Sequence, residues 1–376
     1  MNKSLSYWEL KTYFTQVDFT IIGSGITGLN CALRLRENFP KAKILVLEKG
    51  VLPEGASTKN AGFACFGSVS ELLDDLKTQS EGEVAHLVAK RYQGLQQLRN
   101  NLGDKNIGYK NYGGYEVFTE NHTALYEECF SRVEEINRLL QPIFSEKVFR
   151  ESENKFSFGK VLPKFIYNAF EAQIDTGKMM HCLLRKAVQN DILILNHCHV
   201  KALEDTQNGV EVILDSFSFQ TQKVCIATNG FGQQLGIEKV NPARAQVLIT
   251  KPIENLQFKG TFHLEQGYYY FRNIDNRILL GGGRNLNVQG ETTTEFSTTE
   301  QIQNQLDKLL SEVILPHQKA EIEHRWSGIM GVGKTKKPIL KQVSNNVYCG
   351  VRLGGMGIAI GTFVGQQLAD LTNRNG

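Results

Sequence analysis

The hydrophobic positions near the start of the chain change period twice. Phe19 to Ile22 is a short apolar run of the kind a strand buried on both faces presents. Leu29, Ala32, Leu33 and Leu35 then recur at the spacing of one helix face. A second apolar run, Ile44 to Leu47, ends in an acid, Glu48. The pattern predicts strand, helix, strand: the opening of a parallel sheet. From Glu71 to about Leu140 it turns largely helical, with Leu72, Leu73 and Leu76, then Leu87, Val88, Tyr92, Leu95 and Leu98, at helical spacing. Tyr112 to Thr119 alternates as a short strand between the helices, and Phe149 to Val161 reads as strand and loop.

Asp175 to Val200 returns to the opening pattern. Thr176 is placed to cap a helix over Lys178 to Val188, and Ile192 to Leu195 forms another buried strand. Small strands are predicted at Val200–Leu203, Val210–Leu214 and Phe217–Phe219, with Asn208-Gly209 as a hairpin turn. Val224 to Ala227 is a strand that must turn sharply at Thr228, Asn229 and Gly230. Arg244–Thr250, Gly267–Arg272 and Arg277–Gly283 read as an antiparallel sheet, with Asp275-Asn276 between the last two. Thr298 to Leu315 is an amphipathic helix. The chain closes as strand (Val347–Cys349), glycine-rich turn (Gly350, Gly354, Gly355, Gly357) and helix (Ile358–Leu371).

The first unit carries chemistry. Gly23, Gly25 and Gly28 stand in G-x-G-x-x-G spacing between strand and helix. Gly23 allows the tight turn, Gly25 has no side chain to block a pyrophosphate, and Gly28 lets helix and strand pack closely. The helix start offers free N–H groups to phosphate. Glu48, 20 residues beyond Gly28, is placed to accept from a ribose hydroxyl and would repel the 2′-phosphate of NADP. FAD and NAD both fit. The last unit points a second helix start at a ligand in the same manner. Residues 50–68 are dense in small residues and read as a surface loop or a binding loop; Phe63, Cys65 and Phe66 favour binding.

With 376 residues, two domains are expected. A net charge of +3 gives no reason to expect nucleic acid or an anionic membrane as partner. Seven scattered cysteines without a C-x-x-C pair fit a reducing compartment. Residues 1–17 lack the apolar core of a signal peptide, and no run of about 18 apolar residues could span a bilayer. The expectation is a cytoplasmic protein without a transmembrane segment. The eight histidines suggest no metal-ligand set, and no metal is expected.

GSGITG, GASTKNAG, ATNG and the closing glycine turn together resemble the D-amino-acid oxidase (DAO) superfamily of FAD enzymes, near its bacterial amine and amino-acid oxidases: glycine oxidase, sarcosine oxidase and gamma-glutamylputrescine oxidase. YYYFRNIDNRILLGGG and RWSGI…KKPIL carry the likeness further, so that it runs from about Ser6 to the C-terminus. The resemblance implies an α/β fold: a Rossmann-like FAD-binding domain of the glutathione-reductase type, and an α+β substrate domain built on an antiparallel sheet. The FAD domain would comprise residues 15–75, 165–233 and 324–376, the substrate domain 76–164 and 234–323.

By the same resemblance Gly23, Ser24, Gly25, Ile26 and Gly28 hold the pyrophosphate, and Glu48 with Lys49 lies by the adenosine ribose. Ser57, Thr58, Asn60, Ala61 and Gly62 approach the flavin, Val200 the adenine, and Ala227, Thr228, Gly230 and Gly328 the cofactor's length. Arg352, Leu353, Gly354, Gly355, Met356, Gly357 and Ile358 surround the isoalloxazine. The implied reaction is hydride transfer from the carbon bearing an amine to flavin, the imine then hydrolysing, with electrons passing to O2 or another acceptor. An amino-acid carboxylate would need an arginine, and Arg352, Arg272 and Arg244 are the candidates. Tyr268 and Tyr270, on one strand face, are candidate pocket walls, with aromatic core packing as the alternative.

Residues 327–334 hold no cysteine, where sarcosine oxidases attach their flavin, so noncovalent FAD is expected. Ile278, Leu279 and Leu280 offer no lysine to assist O2, which leaves oxidase and dehydrogenase both open. Other readings are a 2-hydroxy-acid oxidase or dehydrogenase on the same fold, and a binding module with structural FAD. Modification of a nucleic-acid base is disfavoured by the absence of a basic run. An NAD-only dehydrogenase would leave the closing glycine turn without a purpose.

Overall fold

A computed structural model describes residues 5–373. Residues 1–4 of the polar start lie outside the described residues. Two eight-stranded sheets carry the fold. The centre of the first is parallel, in the order Val347–Val351, Ser218–Ile226, Val17–Ile22, Ile44–Leu47, Leu193–Leu195. Ile44–Leu47, Val347–Val351 and the end of Ser218–Ile226 are wholly buried, with apolar clusters packed against the sheet. The helix Ile26–Asn38 makes the first crossover, and Gly357–Leu371 packs along it.

That helix pair decides where the ligand crevice forms. A Cβ on Gly365 would stand 2.5 Å from the carbonyl oxygen of Thr27, and one on Gly361 2.8 Å from Ile26 Cγ2. Glycine at both positions lets the two backbones touch, so the starts of the two helices lie side by side. The two glycine corners, more than 300 residues apart in sequence, therefore face one crevice.

The second sheet runs Ile322–Val332, Asn241–Thr250, Arg277–Gly282, Tyr269–Ile274, Thr261–Leu264, Gly114–Glu116, Lys164–Asn168, Phe149–Glu153. It is antiparallel except where Thr261–Leu264 runs parallel to Gly114–Glu116. Its core is dense in aromatic rings, Phe262 and Phe271 stacking at 4.6 Å, and the helix Glu300–Leu309 lies across it.

Several expectations are corrected. The cap of the helix Thr176–Gln189 is Asp175, whose carboxylate accepts the Lys178 N–H at 2.9 Å; Thr176 begins the helix itself. Phe217–Phe219 and Val224–Ala227 are not two strands but mostly one, Ser218–Ile226, because a single run pairs with both Val17–Ile22 and the hairpin beside it. The strands Thr261–Leu264 and Lys164–Asn168 went unforeseen, too short to show a period. Residues 166–168 and 322–332 pair into the second sheet.

Candidate functional site

Between the two sheets lies a cavity of about 720 Å³, within the range of small-molecule sites, about 300–1,000 Å³. Its floor is the first glycine corner. Gly28 sits where any side chain would collide with the Gly23 carbonyl, which closes the strand onto the helix. At the helix start Ile26 gives its N–H to the Ser57 hydroxyl at 3.0 Å. The turn is held from below: Ser24 donates its N–H at 3.0 Å and its hydroxyl at 2.7 Å to Glu48, and Gly50 donates at 3.1 Å to the other carboxylate oxygen. Glu48 thus fixes the glycine turn from beneath and belongs to the cavity wall.

Most expected cofactor positions converge on this cavity. Gly23, Gly25, Ile26, Glu48 and Lys49 belong to its wall, as do Ser57, Asn60, Ala61 and Gly62. Val200, Ala227, Thr228 and Gly328 line its length, and Leu353, Gly354, Gly355, Met356, Gly357 and Ile358 its far side. Asn229 ties two of these walls together, its side-chain oxygen accepting the N–H groups of Arg352 and Leu353 at 3.1 Å each. Asn60 shapes its own loop by accepting from Gly62 and Thr176, both at 2.8 Å.

Other expected positions stand behind the wall. Ser24 and Gly28 build the turn from beneath. Thr58 gives its hydroxyl to the Pro53 carbonyl, and Gly230 lies against the Met330 backbone.

The three candidate arginines are placed elsewhere than expected. Arg244 is buried and bidentate to Glu291, both contacts at 2.8 Å, with Ser297 on its remaining nitrogen. Arg352 adopts a left-handed backbone, φ 66°, and spends its guanidinium on the carbonyls of Lys337 at 2.9 Å and Lys239 at 3.0 Å. Arg272 is buried against the loop, donating to the Ala61 carbonyl and lying beneath Gly62. Burial draws its guanidinium down to about 10, so it stays charged at neutral pH. Among the described residues no arginine forms part of the cavity wall.

Tyr270 does face the cavity, and burial pushes its hydroxyl up to about 12. Tyr268 does not: it lies in the turn before the strand Tyr269–Ile274, where strand alternation no longer applies, and is exposed. Sequence reading missed Thr27, Lys59, Glu71 and His263 in the wall. Thr27, inside GSGITG, carried a signal; His263 lies on an unforeseen strand and carried none.

His263 donates its Nε2 proton to the buried carboxylate of Glu171, which also accepts from Thr261 at 2.9 Å. Burial disfavours the imidazolium, but Glu171, then Glu71 and Glu116, outweigh it and hold the ring at about 9. The thiol of Cys65 lies within 4.8 Å of both partners, so a potential metal-ligand trio exists where the sequence suggested none. His263 and Glu171 are hydrogen-bonded to each other, and burial raises the Cys65 thiol.

Two buried hydroxyls on the cavity wall, those of Thr27 and Thr228, have no hydrogen-bond partner among the described residues. Buried polar groups are rarely left so, and these fit the phosphate and polyol stretch of a dinucleotide. The sequence matches the DAO family, described as FAD dependent oxidoreductase, over residues 18–371. The chain belongs to this family. Gamma-glutamylputrescine oxidoreductase of Escherichia coli K12 is 22% identical over 375 residues, 94% of this chain and 83% of its own length. Among solved DAO-like structures, glycine oxidase from Geobacillus kaustophilus superposes with a TM-score of 0.76 at 17% identity, covering 96% of this chain and 95% of that one. Iminodiacetate oxidase from Chelativorans sp. BNC1 gives 0.77 at 18% identity, covering 95% and 96%. As a DAO-family protein the chain is an FAD-dependent oxidoreductase. Its cavity fits that cofactor: Gly25, Ile26 and Thr27 would hold the diphosphate, Glu48 the adenosine ribose, and the 353–358 turn the flavin end. Among the described residues no helix is long and apolar enough to cross a membrane.

Proposed function

We propose that the protein oxidises the C–N bond of a small amine or amino acid. The observation that carries this reading is the single cavity shared by the two glycine corners and walled on its other side by the antiparallel sheet through Val247, His263 and Tyr270. FAD, when bound, supplies the acceptor for a hydride leaving the carbon beside nitrogen; the imine hydrolyses, and the electrons pass to O2 or another acceptor. The chain's own part is to seat the substrate between Tyr270 and the 353–358 turn, exclude water with Phe63 and Met330, and keep a proton on His263. The absence of cysteine in residues 327–334 supports noncovalent FAD. Seven thiols free of disulfides support a reducing, cytoplasmic setting.

The visible spectrum of purified protein should show oxidised flavin that dissociates on denaturation. Under anaerobic conditions an amine or amino acid should bleach it. A preparation that takes up no FAD on reconstitution would overturn the reading.

A further inference from the structure

The cavity end beside Met356 has a distinct chemistry. Cys65 Sγ lies 3.3 Å from Met356 Sδ, which joins the 50–68 loop to the closing glycine turn. His263 stands beside Cys65, Phe63 beside His263 and Tyr270, and Glu71, packed against Gly267, acts electrostatically on both Cys65 and His263. The Phe63 ring meets His263 at 5.3 Å and Tyr270 at 5.5 Å, both edge to face. Three kinds of group converge here: a carboxylate, aromatic rings, and an imidazolium whose charge Glu171 balances.

The positive charges of this neighbourhood are paired or lie outside the wall. His263 is bound to Glu171, and Lys336 to Asp75 at 2.9 Å. Arg91 is buried outside the wall, with its Nη1 on the Phe66 carbonyl, its Nε unpartnered among the described residues and its charge beside Glu71 and Asp75. Glu116 sits behind, held by Ser68 and Ser70 and pushed up by burial. Glu71 uses one oxygen for the Ser68 N–H at 3.0 Å, the cap of its own helix. The two lysines of the cavity wall lie elsewhere: Lys49 follows Glu48, and Lys59 stands over the Phe296 ring at 5.1 Å. A ligand carboxylate at this end would meet Glu71 with no guanidinium or ammonium in the wall beside it to receive it. A ligand ammonium would meet a carboxylate beside two aromatic rings, the kinds of group that recognise organic cations.

We propose that Glu71, Phe63 and Tyr270 form a subsite for a substrate ammonium group, so that amines lacking a carboxylate are taken in preference to α-amino acids. This rests on the flavin-dependent reading above and narrows its substrate class. Glu71 supplies the charge and Tyr270 and Phe63 the aromatic rings. His263 is a positioning residue that holds the wall without adding net charge.

The test uses the FAD-loaded protein and two probes of one shape, tert-butylammonium and pivalate. Neither has a hydrogen on the carbon next to its charged group, so binding is read without turnover, from calorimetry and the oxidised flavin spectrum. Wild type should bind tert-butylammonium and not pivalate. Glu71→Gln, which keeps the helix cap, should weaken the cation about tenfold. Tyr270→Phe should retain binding and Tyr270→Leu lose it. Pivalate binding more tightly than tert-butylammonium to wild type would overturn the proposal, and needs no variant to fold. Anaerobic reduction separates the two levels. Bleaching by butylamine but not norvaline supports the subsite. Bleaching by norvaline alone overturns the subsite and leaves the oxidoreductase reading standing. Bleaching by neither these nor a wider panel of amines and amino acids overturns both.

Discussion

Replacing Gly365 by alanine tests whether the cavity exists because two helix backbones touch. The new methyl carbon would stand 2.5 Å from the Thr27 carbonyl oxygen, 2.9 Å from Asn30 Cβ and 3.0 Å from the Cys31 nitrogen. Ordinary contact begins at 3.4 Å, so the first neighbour is about 0.9 Å too close, and none of the three can rotate away. Alanine's better helix propensity offers up to about 1 kcal/mol in return. Overpacking of a rigid contact costs about 1–3 kcal/mol, and with three backbone-borne neighbours the upper part of that range should win. The expected result is a melting temperature lower by roughly 1–3 °C, at about 2.1 cal/mol/K of unfolding entropy per residue. Flavin content should fall with it, since the displaced residue, Thr27, belongs to the cavity wall. Differential scanning calorimetry and the ratio of flavin to protein absorbance measure both. Gly82→Ala is the control, a helical glycine with nothing within 4 Å, and should be neutral or stabilising. A Gly365→Ala protein that melts with wild type and keeps its flavin would refute the reasoning.

Glu291→Gln should destabilise by about 3–5 kcal/mol in urea titrations, because it strands the buried Arg244 charge. Arg352→Ala should lower the melting point while changing kcat/KM by less than about threefold, since its guanidinium serves two carbonyls rather than the cavity. Glu48→Ala should raise the FAD dissociation constant by at least about tenfold, seen by fluorescence on reconstitution, as the phosphate turn loses its anchor. His263 carries its proton to about 9 in the folded chain and to about 6.5 in the unfolded one. Its contribution, on the order of 3 kcal/mol, is therefore fully present below pH 6.5 and lost as pH rises through about 9. Urea midpoints measured from pH 6 to 10 should fall more for wild type than for His263→Gln.

Strand, glycine corner and helix were legible at both ends because each is a local pattern: an apolar run, a turn only glycine makes easily, and a helical period. The same holds for Glu48, whose position follows from counting along one repeat. The arginines show where such reading stops. Arg244, Arg272 and Arg352 look alike in sequence, and a guanidinium takes its role from whatever acceptor the fold brings to it. One met a buried glutamate, one a loop carbonyl, and one two carbonyls beyond the turn.

His263 and Glu171 are more than 90 residues apart in sequence and become partners only because a four-residue strand, too short to announce itself, pairs parallel to Gly114–Glu116. The sequence by itself determined the strand, glycine corner and helix at both ends and the dinucleotide class of the ligand, since those depend on neighbours along the chain. Tertiary structure alone decided the charge of the cavity wall. Which acid meets which base is a matter of sheet order and register, and in a buried site that pairing determines which charges remain free for a ligand.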